Sequence, residues 1–321
     1  MIFKWQRAAH TSLWLASIVA ALATASTTAC AGRNAASHQS MTATGAVNWA
    51  AVDAAMGRTS IAQSDEVHRF NMPRSDLKVT VDGVAIRPSL ALGSWLAMKP
   101  VAGGVVAMGD LVLTGEEIEP VLSKLQAGGI EQSAIHHHLI RESPRVLYVH
   151  MHAHGDPVVI ARAVRDAVVL TGTPSAAPAN STMATPSGFA IDTAALARAL
   201  GYEGRVNGGV YQVTVARVEP ITDGAFAIPS VMGLGTAINF QPTTDGKAAI
   251  TGDFVLRASE VNPVIKALRE GGIEVTSLHN HLLNDEPRLF FMHFWANDDA
   301  IKLAGVLRGA LAKTATVKPT R

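Results

Sequence analysis

The sequence lacks most of what would place it in a familiar class of enzyme or nucleic-acid binder. Its single cysteine leaves no disulfide possible within the chain. The formal net charge is only +1, and charged residues make up 17%, so the charge pattern predicts no nucleic-acid partner. There is no Gly-x-Ser-x-Gly elbow and no cysteine placed as a nucleophile, which disfavours serine and cysteine hydrolases. The chain must therefore be held together by core packing or by ligands.

Long apolar runs are also scarce, and the one present lies at the N-terminus. Lys4 and Arg7 precede an apolar stretch, residues 13–25, that is too short to span a bilayer comfortably. Small residues follow it. This order is typical of a secretory signal peptide, which we predict over residues 1–29.

The only cysteine stands where cleavage of that peptide is expected. The stretch "TTAC", residues 27–30, resembles a bacterial lipobox, in which the cysteine is acylated and becomes the first mature residue. Cys30 is therefore the predicted lipidation site, and residues 30–45 the predicted flexible tether. The expected location is the cell envelope, anchored to the membrane by lipid. Ordinary secretion as a soluble or periplasmic protein is the alternative.

An internal repeat organises the rest of the chain. Residues 109–156 align without gaps with residues 252–299, and about 20 of the 48 aligned positions are identical. Similarity continues upstream with small insertions. We infer a first repeat at 46–172 and a second at 188–315. They are joined by a Ser/Thr/Ala/Pro-rich linker at 173–187.

The second half of each repeat has readable periodicity. In the first copy, the segment "VVAMGDLVL" has the composition of a strand. The apolar residues of "GEEIEPVLSKLQAGG" have helical spacing, and two glycines end the predicted helix. Two further segments, "IEQSAIHHHLI" and "RVLYVHMHAH", show the alternation typical of strands. Asp156 and Pro157 then begin a second helix. The order β-α-β-β-α is ferredoxin-like. The predicted fold class is α+β, with two tandem homologous units that each have an antiparallel sheet and helices on one face.

Several paired polar residues favour ordinary structural interpretations. Arg74 and Arg217 are interpreted as solvated charges at strand edges. Asp110 and Asp253 each follow a glycine, which favours turn chemistry.

Histidines concentrate in the two strands of the predicted hairpin. His136 and His138 alternate with apolar residues in the outgoing strand, and His150 and His152 do so in the returning strand. The apolar set belongs under the helices, so these histidines should share the opposite, open face. This requires a hairpin register that pairs the apolar residues of one strand with those of the other, because a one-residue slip would move every side chain of a strand to the other face of the sheet. The equivalent residues of the second copy are His279, His281 and His293.

Converging imidazoles are a plausible cradle for a divalent transition metal. Neutral imidazole suits zinc, copper, nickel or iron, and zinc is the favoured ion. An open three-histidine site could activate a water for hydrolysis. Glu117 could act there as a base or orient a ligand, or it could only complement the dipole of the helix it begins. A metal-free polar pocket and structural filling remain the other interpretations.

The two copies differ at the end of the returning strand. His152 and His154 occur in the first copy, whereas Trp295 and Asn297 stand in the second. The first copy is therefore predicted to have more ligand capacity, and the second an aromatic wall.

The repeated motif, "GD-L-L-E-P-L-GGI-HxHL-PR-H" behind a lipoprotein-type signal, resembles the LppY/LpqO family. The resemblance covers essentially the whole mature chain and implies an extracytoplasmic protein with a repeated domain. It implies no activity. The middle of the His-x-His motif is His137 in the first copy and Asn280 in the second.

Three functions follow from these patterns. The first is an exported lipoprotein that binds a small ligand, an envelope component or a transition metal through its histidine-lined sheet face. The second is a metal-dependent hydrolase of an envelope substrate. The third is a non-catalytic module whose open sheet face meets a partner protein. Whether the protein is an enzyme is left open.

Overall fold

Two six-stranded antiparallel sheets dominate the computed structural model. The described residues are 46–175, 190–244 and 246–318. The predicted signal peptide and tether lie outside them, as does most of the predicted linker. No helix among the described residues has the length and apolar character needed to cross a membrane.

The two repeats have matching elements. The first contains α1 (Trp49–Met56), β1 (Ile61–Ala62), β2 (His68–Pro73), β3 (Thr80–Val81), β4 (Val84–Ala85), α2 (Pro88–Ala91), β5 (Gly93–Val101), β6 (Gly104–Thr114), α3 (Gly115–Ala127), β7 (Glu131–His136), β8 (Glu142–Ser143), β9 (Val146–Gly155) and α4 (Pro157–Val168). The second contains α5 (Thr193–Leu200), β10 (Arg205–Asn207), β11 (Val210–Val215), β12 (Thr222–Asp223), β13 (Phe226–Ala227), β14 (Thr236–Pro242), β15 (Lys247–Arg257), α6 (Ala258–Glu270), β16 (Glu274–His279), β17 (Asp285–Glu286), β18 (Leu289–Asp299) and α7 (Ala300–Leu311).

Strand order is the same in both large sheets. It runs β1-β2-β5-β6-β9-β7 in the first repeat and β10-β11-β14-β15-β18-β16 in the second. Three short strands of each repeat form an additional small sheet, β4-β3-β8 or β13-β12-β17. The order β6-α3-β7-β9-α4 is the predicted β-α-β-β-α unit, interrupted only by the short β8. The predicted fold class, two tandem α+β units, is confirmed.

Helices cover one face of each sheet and enclose an apolar core. Asp156 accepts hydrogen bonds from Val158 N and Val159 N and so begins α4 as the sequence predicts. Val149 and Met151 of β9 lie in this core with Val121, Leu125 and Ile160 of the helices. The second repeat has an equivalent core between its sheet and α5, α6 and α7.

The opposite sheet faces pack against each other. Two further apolar clusters each combine residues from both repeats, for example Met108 with Phe291, and Tyr148 with Trp295. The central strands β6 and β15 are therefore buried along almost their whole length, because both of their faces are covered. The expectation of an open histidine face was wrong, because the other repeat covers it.

Two arginines are buried where the sequence predicts solvated charges. Arg74 is 1% exposed, and its Nη1 donates to Glu117 Oε2 at 2.7 Å and to the carbonyl oxygen of Val112 at 2.7 Å. Arg217 makes the same pair of contacts with Glu260 and Val255 in the second repeat. Each guanidinium follows the end of β2 or β11 and reaches across the next strand of the sheet to the end of β6 or β15 and the first turn of the helix that follows it. This position removes it from solvent.

Loss of one buried arginine should leave its carboxylate without compensation. We expect Arg217→Met to lower the free energy of unfolding by about 3–5 kcal/mol, because Glu260 stays buried and charged. Urea unfolding of the full chain measures the change. The matched control is Lys266→Met, which breaks a pair with Glu270 whose side chains are 70% and 64% exposed, and should cost less than about 1 kcal/mol. Equal effects of the two substitutions would contradict this account.

Candidate metal centre

The hairpin register places the histidines on one face, as the alternation predicts. In the first repeat, Ala134 pairs with His150, and His136 pairs with Tyr148. Apolar residues of one strand therefore pair with those of the other, as Ile135 does with Val149, and the imidazoles project from the opposite side of the sheet, away from the helices. The second repeat has the same register, with Ser277 opposite His293.

Six histidines, three from each repeat, meet where the two sheet faces pack. We call them the histidine cluster; they are His136, His138, His150, His279, His281 and His293. Each imidazole of the first repeat faces one of the second, with ring-centroid distances of 3.8 Å for His136 and His279, 3.7 Å for His138 and His293, and 3.8 Å for His150 and His281. All the predicted histidines except His152 thus lie together between the two repeats.

The cluster has approximate two-fold symmetry. Within the first repeat the ring of His136 lies 4.7 Å from that of His150, and the equivalent distance between His279 and His293 is 4.9 Å. The aromatic neighbours match as well. The ring of Tyr148 stacks on that of His138 with a centroid distance of 3.3 Å, and the equivalent Phe291 stacks on His281 with a centroid distance of 3.4 Å.

Two buried carboxylates flank the cluster. Asp110 Oδ2 lies 3.6 Å from His138 Nε2, and Asp110 Oδ1 lies 3.7 Å from His150 Nδ1. Asp253 Oδ2 lies 3.0 Å from His281 Nε2. Both aspartates sit within long strands, where Asp110 pairs with His150. The turn interpretation was therefore wrong, and the available signal was the Gly-Asp pair retained at the same place in both copies.

The glycines before these aspartates set the orientation of two histidines. The carbonyl oxygen of Gly252 accepts from His293 Nδ1 at 2.8 Å, and that of Gly109 accepts from His150. A Cβ atom at Gly252 would lie 1.9 Å from the carbonyl oxygen of Ala237, so a side chain does not fit there. When Nδ1 donates its proton, the lone pair of Nε2 points into the cluster, which is the common arrangement of a metal-ligating histidine.

Each repeat also holds the His-x-His segment of the other. Ser133 and Thr276 occupy equivalent β-bulges in β7 and β16. Ser133 Oγ donates to the carbonyl oxygen of His281, and Thr276 Oγ1 donates to that of His138. His137 uses Nε2 to contact the carbonyl oxygen of Thr276 at 3.1 Å, so it supports the interface from outside the cluster.

Burial keeps the imidazoles neutral. It lowers the pKa of all six, and the neighbouring imidazoles lower that of His136, His138, His150 and His279 further. The pKa of His281 falls to about 3. Burial raises the pKa of Asp253 to about 6 and that of Asp110 well above its ordinary value. Neutral imidazole is the form that ligates metal ions.

Many polar atoms of this region have no protein partner. Among the described residues, the buried side-chain atoms without a hydrogen bond include His136 Nδ1, His150 Nε2, both ring nitrogens of His279, His293 Nε2, Asp110 Oδ1 and Asp253 Oδ1. Leaving a buried polar group unsatisfied costs about 1–3 kcal/mol. So dense a group of unpaired donors and acceptors could hold a metal ion.

The spacing of these atoms fits metal coordination. Three sets, in each of which all ligand atoms lie within 4.8 Å of one another, are His136/His150/His279, His136/His138/His293 and Asp253/His279/His293. The first two sets consist of cluster histidines from both repeats. The third set combines two cluster histidines with Asp253, all from the second repeat.

Other predicted site residues lie elsewhere. His152 Nε2 is 2.8 Å from Asp223 Oδ2 of the second repeat. His154 Nε2 contacts the carbonyl oxygen of Ala102 at 3.1 Å. Both oxygens of Glu117 are engaged, by Arg74 and by backbone N–H groups, so this residue secures the start of α3. Cys30 lies outside the described residues.

The fold and the buried histidine layer define a tandem α+β protein with a candidate metal centre between its repeats. The chain belongs to the family described as Domain of Unknown Function (DUF1259), whose model matches residues 50–169 and 194–313. The two matches confirm the internal repeat. Comparison with curated proteins gives no match.

Comparison with solved structures gives matches of low similarity. The trimeric bacterial microcompartment shell protein PduB is 14% identical over 80% of this chain and 95% of its own, with a TM-score of 0.19. EtuB from Clostridium kluyveri is 10% identical over 78% of this chain and 89% of its own, with a TM-score of 0.18. TM-scores of this size show neither a shared fold nor a shared function.

Stability of the metal-free protein should depend on pH. The pKa of each cluster imidazole is lower in the folded protein than its unfolded value of about 6.5, so the unfolded chain binds more protons as the pH falls. Asp110 and Asp253 act in the opposite direction, because their folded pKa is raised, but they are outnumbered. We expect the free energy of unfolding to fall by several kcal/mol from about pH 7 to about pH 5.

Urea unfolding in the presence of a chelator measures this dependence. A free energy of unfolding that stays constant or rises on acidification over the same interval would show that the imidazoles are not buried in the neutral form.

Proposed function

We propose that this protein binds a divalent transition-metal ion between its two repeats. The observation that carries the proposal is the histidine cluster, in which four imidazoles are buried, two are half-buried, and five of the six have a buried ring nitrogen without a hydrogen-bond partner. The cluster and the two aspartates beside it offer nitrogen and oxygen donors and no thiolate, which suits zinc, copper or nickel. Because the imidazoles are already neutral, an ion meets little competition from protons at neutral pH.

The arrangement favours binding over the other functions that the sequence raised. A non-catalytic module would need the histidine face to be open, yet the second repeat covers it. The Glu117 carboxylate, which the sequence suggested as the base of a hydrolase, is already engaged by Arg74. Metal binding uses the buried atoms that have no other role.

Added metal should stabilise the folded protein. We expect Zn²⁺ at about 100 times its dissociation constant to add about 2.7 kcal/mol to the free energy of unfolding. The double variant His136→Gln/His279→Gln should lose most of this gain, because it removes the two rings that face each other at 3.8 Å. Thermal unfolding of metal-stripped protein, with and without Zn²⁺, Cu²⁺ or Ni²⁺, measures the effect.

The matched control is His154→Gln, which alters a histidine outside the cluster and should respond to metal as the wild type does. If none of the three ions stabilises the wild-type protein, the proposed function is wrong.

We further propose that the protein works in the cell envelope as a lipoprotein. The proposal rests on the basic and apolar N-terminal segment, the lipobox-like "TTAC" stretch, and the resemblance of the repeated motif to the LppY/LpqO family. The lipid would attach to Cys30, and the repeats would then face the extracytoplasmic side.

Substitution of Cys30 tests the anchor. We expect the full chain to fractionate with membranes when produced in a bacterial host, and Cys30→Ser to appear in the soluble fraction, because it lacks the acylated thiol. Ser37→Ala is the control and should remain with the membranes. Identical fractionation of the wild type and Cys30→Ser would contradict lipid attachment.

A further inference from the structure

The histidine cluster contains more ligands than one ion can use. Six imidazoles and two carboxylates converge, whereas a zinc ion in a protein commonly takes four ligands. A single ion would therefore leave several buried imidazoles without a partner, at a cost of about 1–3 kcal/mol for each unsatisfied group. The number of donors already points beyond a mononuclear site.

The approximate symmetry divides these donors into two equal groups. The first group, His136, His138 and His293, is a set whose ligand atoms all lie within 4.8 Å of one another. The offset of 143 residues between the repeats turns it into the second group, His279, His281 and His150.

Ring-centroid distances are nearly equal in the two groups. In the first, the distances from His136 to His138, from His138 to His293 and from His136 to His293 are 5.0, 3.7 and 5.7 Å. In the second, the equivalent distances are 5.0, 3.8 and 5.5 Å. The six rings therefore have nearly the same spatial arrangement in the two groups.

Each group also has a carboxylate beside it, and each carboxylate reaches the other group as well, through His150 for Asp110 and through His293 for Asp253. Asp110 lies beside His138 of the first group, and Asp253 lies beside His281 of the second. One negative charge close to each position lowers the cost of placing a dication in a buried site. Each group combines two histidines of one repeat with one of the other, so neither is complete within a single repeat.

We propose that the histidine cluster is a dinuclear centre, in which each of these two groups binds one divalent transition-metal ion. This inference rests on the proposed function, because it concerns the same site. It adds the number of ions and the assignment of ligands to each. Two adjacent ions are also the arrangement that binds a bridging anion such as hydroxide or a carboxylate.

The test is the zinc stoichiometry of the full chain. Metal-stripped protein is equilibrated with Zn²⁺ in the presence of a competing chelator that removes weakly held ions, and bound zinc is measured by elemental analysis. We expect two zinc ions per chain for the wild type. The double variants His138→Gln/His293→Gln and His150→Gln/His281→Gln should each bind one, because each removes two ligands of one group only.

His68→Gln is the control, since His68 stacks on Trp49 away from the cluster, and it should bind two. One zinc ion per wild-type chain would overturn the dinuclear inference and leave the proposed function standing, whereas no zinc would overturn both. The wild-type value decides the question even if a double variant fails to fold. If both double variants fold and bind no zinc, the assignment of ligands to two groups is wrong.

Discussion

The packing of six imidazoles, four buried and two half-buried, between two sheet faces is the constraint on which the rest of this structure depends. Imidazole nitrogens that leave water need a hydrogen bond or a metal ion in exchange. Two of them, on His150 and His293, donate a hydrogen bond to a glycine carbonyl oxygen in the adjacent strand. The opposite nitrogens of the same rings remain unpaired and point into the cluster. The apolar clusters on either side hold the repeats together and keep this polar layer out of solvent.

Gene duplication explains how such a site can arise from a single hairpin pattern. One repeat supplies three histidines and one aspartate, and packing two copies about an approximate two-fold axis doubles the set. The differences between the copies lie at its margin. His152 of the first repeat contacts Asp223, and Trp295, at the equivalent position, donates from its indole nitrogen to Asp82 at 3.0 Å. His152 and Trp295 therefore both make contacts between the repeats, although the sequence predicted His152 as a metal ligand and Trp295 as part of an aromatic surface.

Much of the fold could be predicted from the sequence, because it follows from local rules. Period-two alternation identified the face of His136 and His150, and the need to pair apolar with apolar fixed the register. What lies opposite a sheet face is not a local property, so the strand pattern gave no sign that the two histidine faces meet. Arg74 was misjudged for the same reason. Its position at a strand end suggests exposure, but its guanidinium reaches Glu117, which is 43 positions away in sequence.

Asp110 was missed because Gly-Asp is common in turns. In this protein the glycine is required within a strand, where its carbonyl contacts a histidine and the next residue projects into the cluster.

X-ray absorption spectroscopy of the zinc-loaded protein tests the central claim most directly. The account predicts nitrogen ligands at about 2.0–2.1 Å with the outer-shell scattering of about three imidazoles per ion. A first shell made only of oxygen, or one containing sulfur, with no imidazole scattering would contradict it.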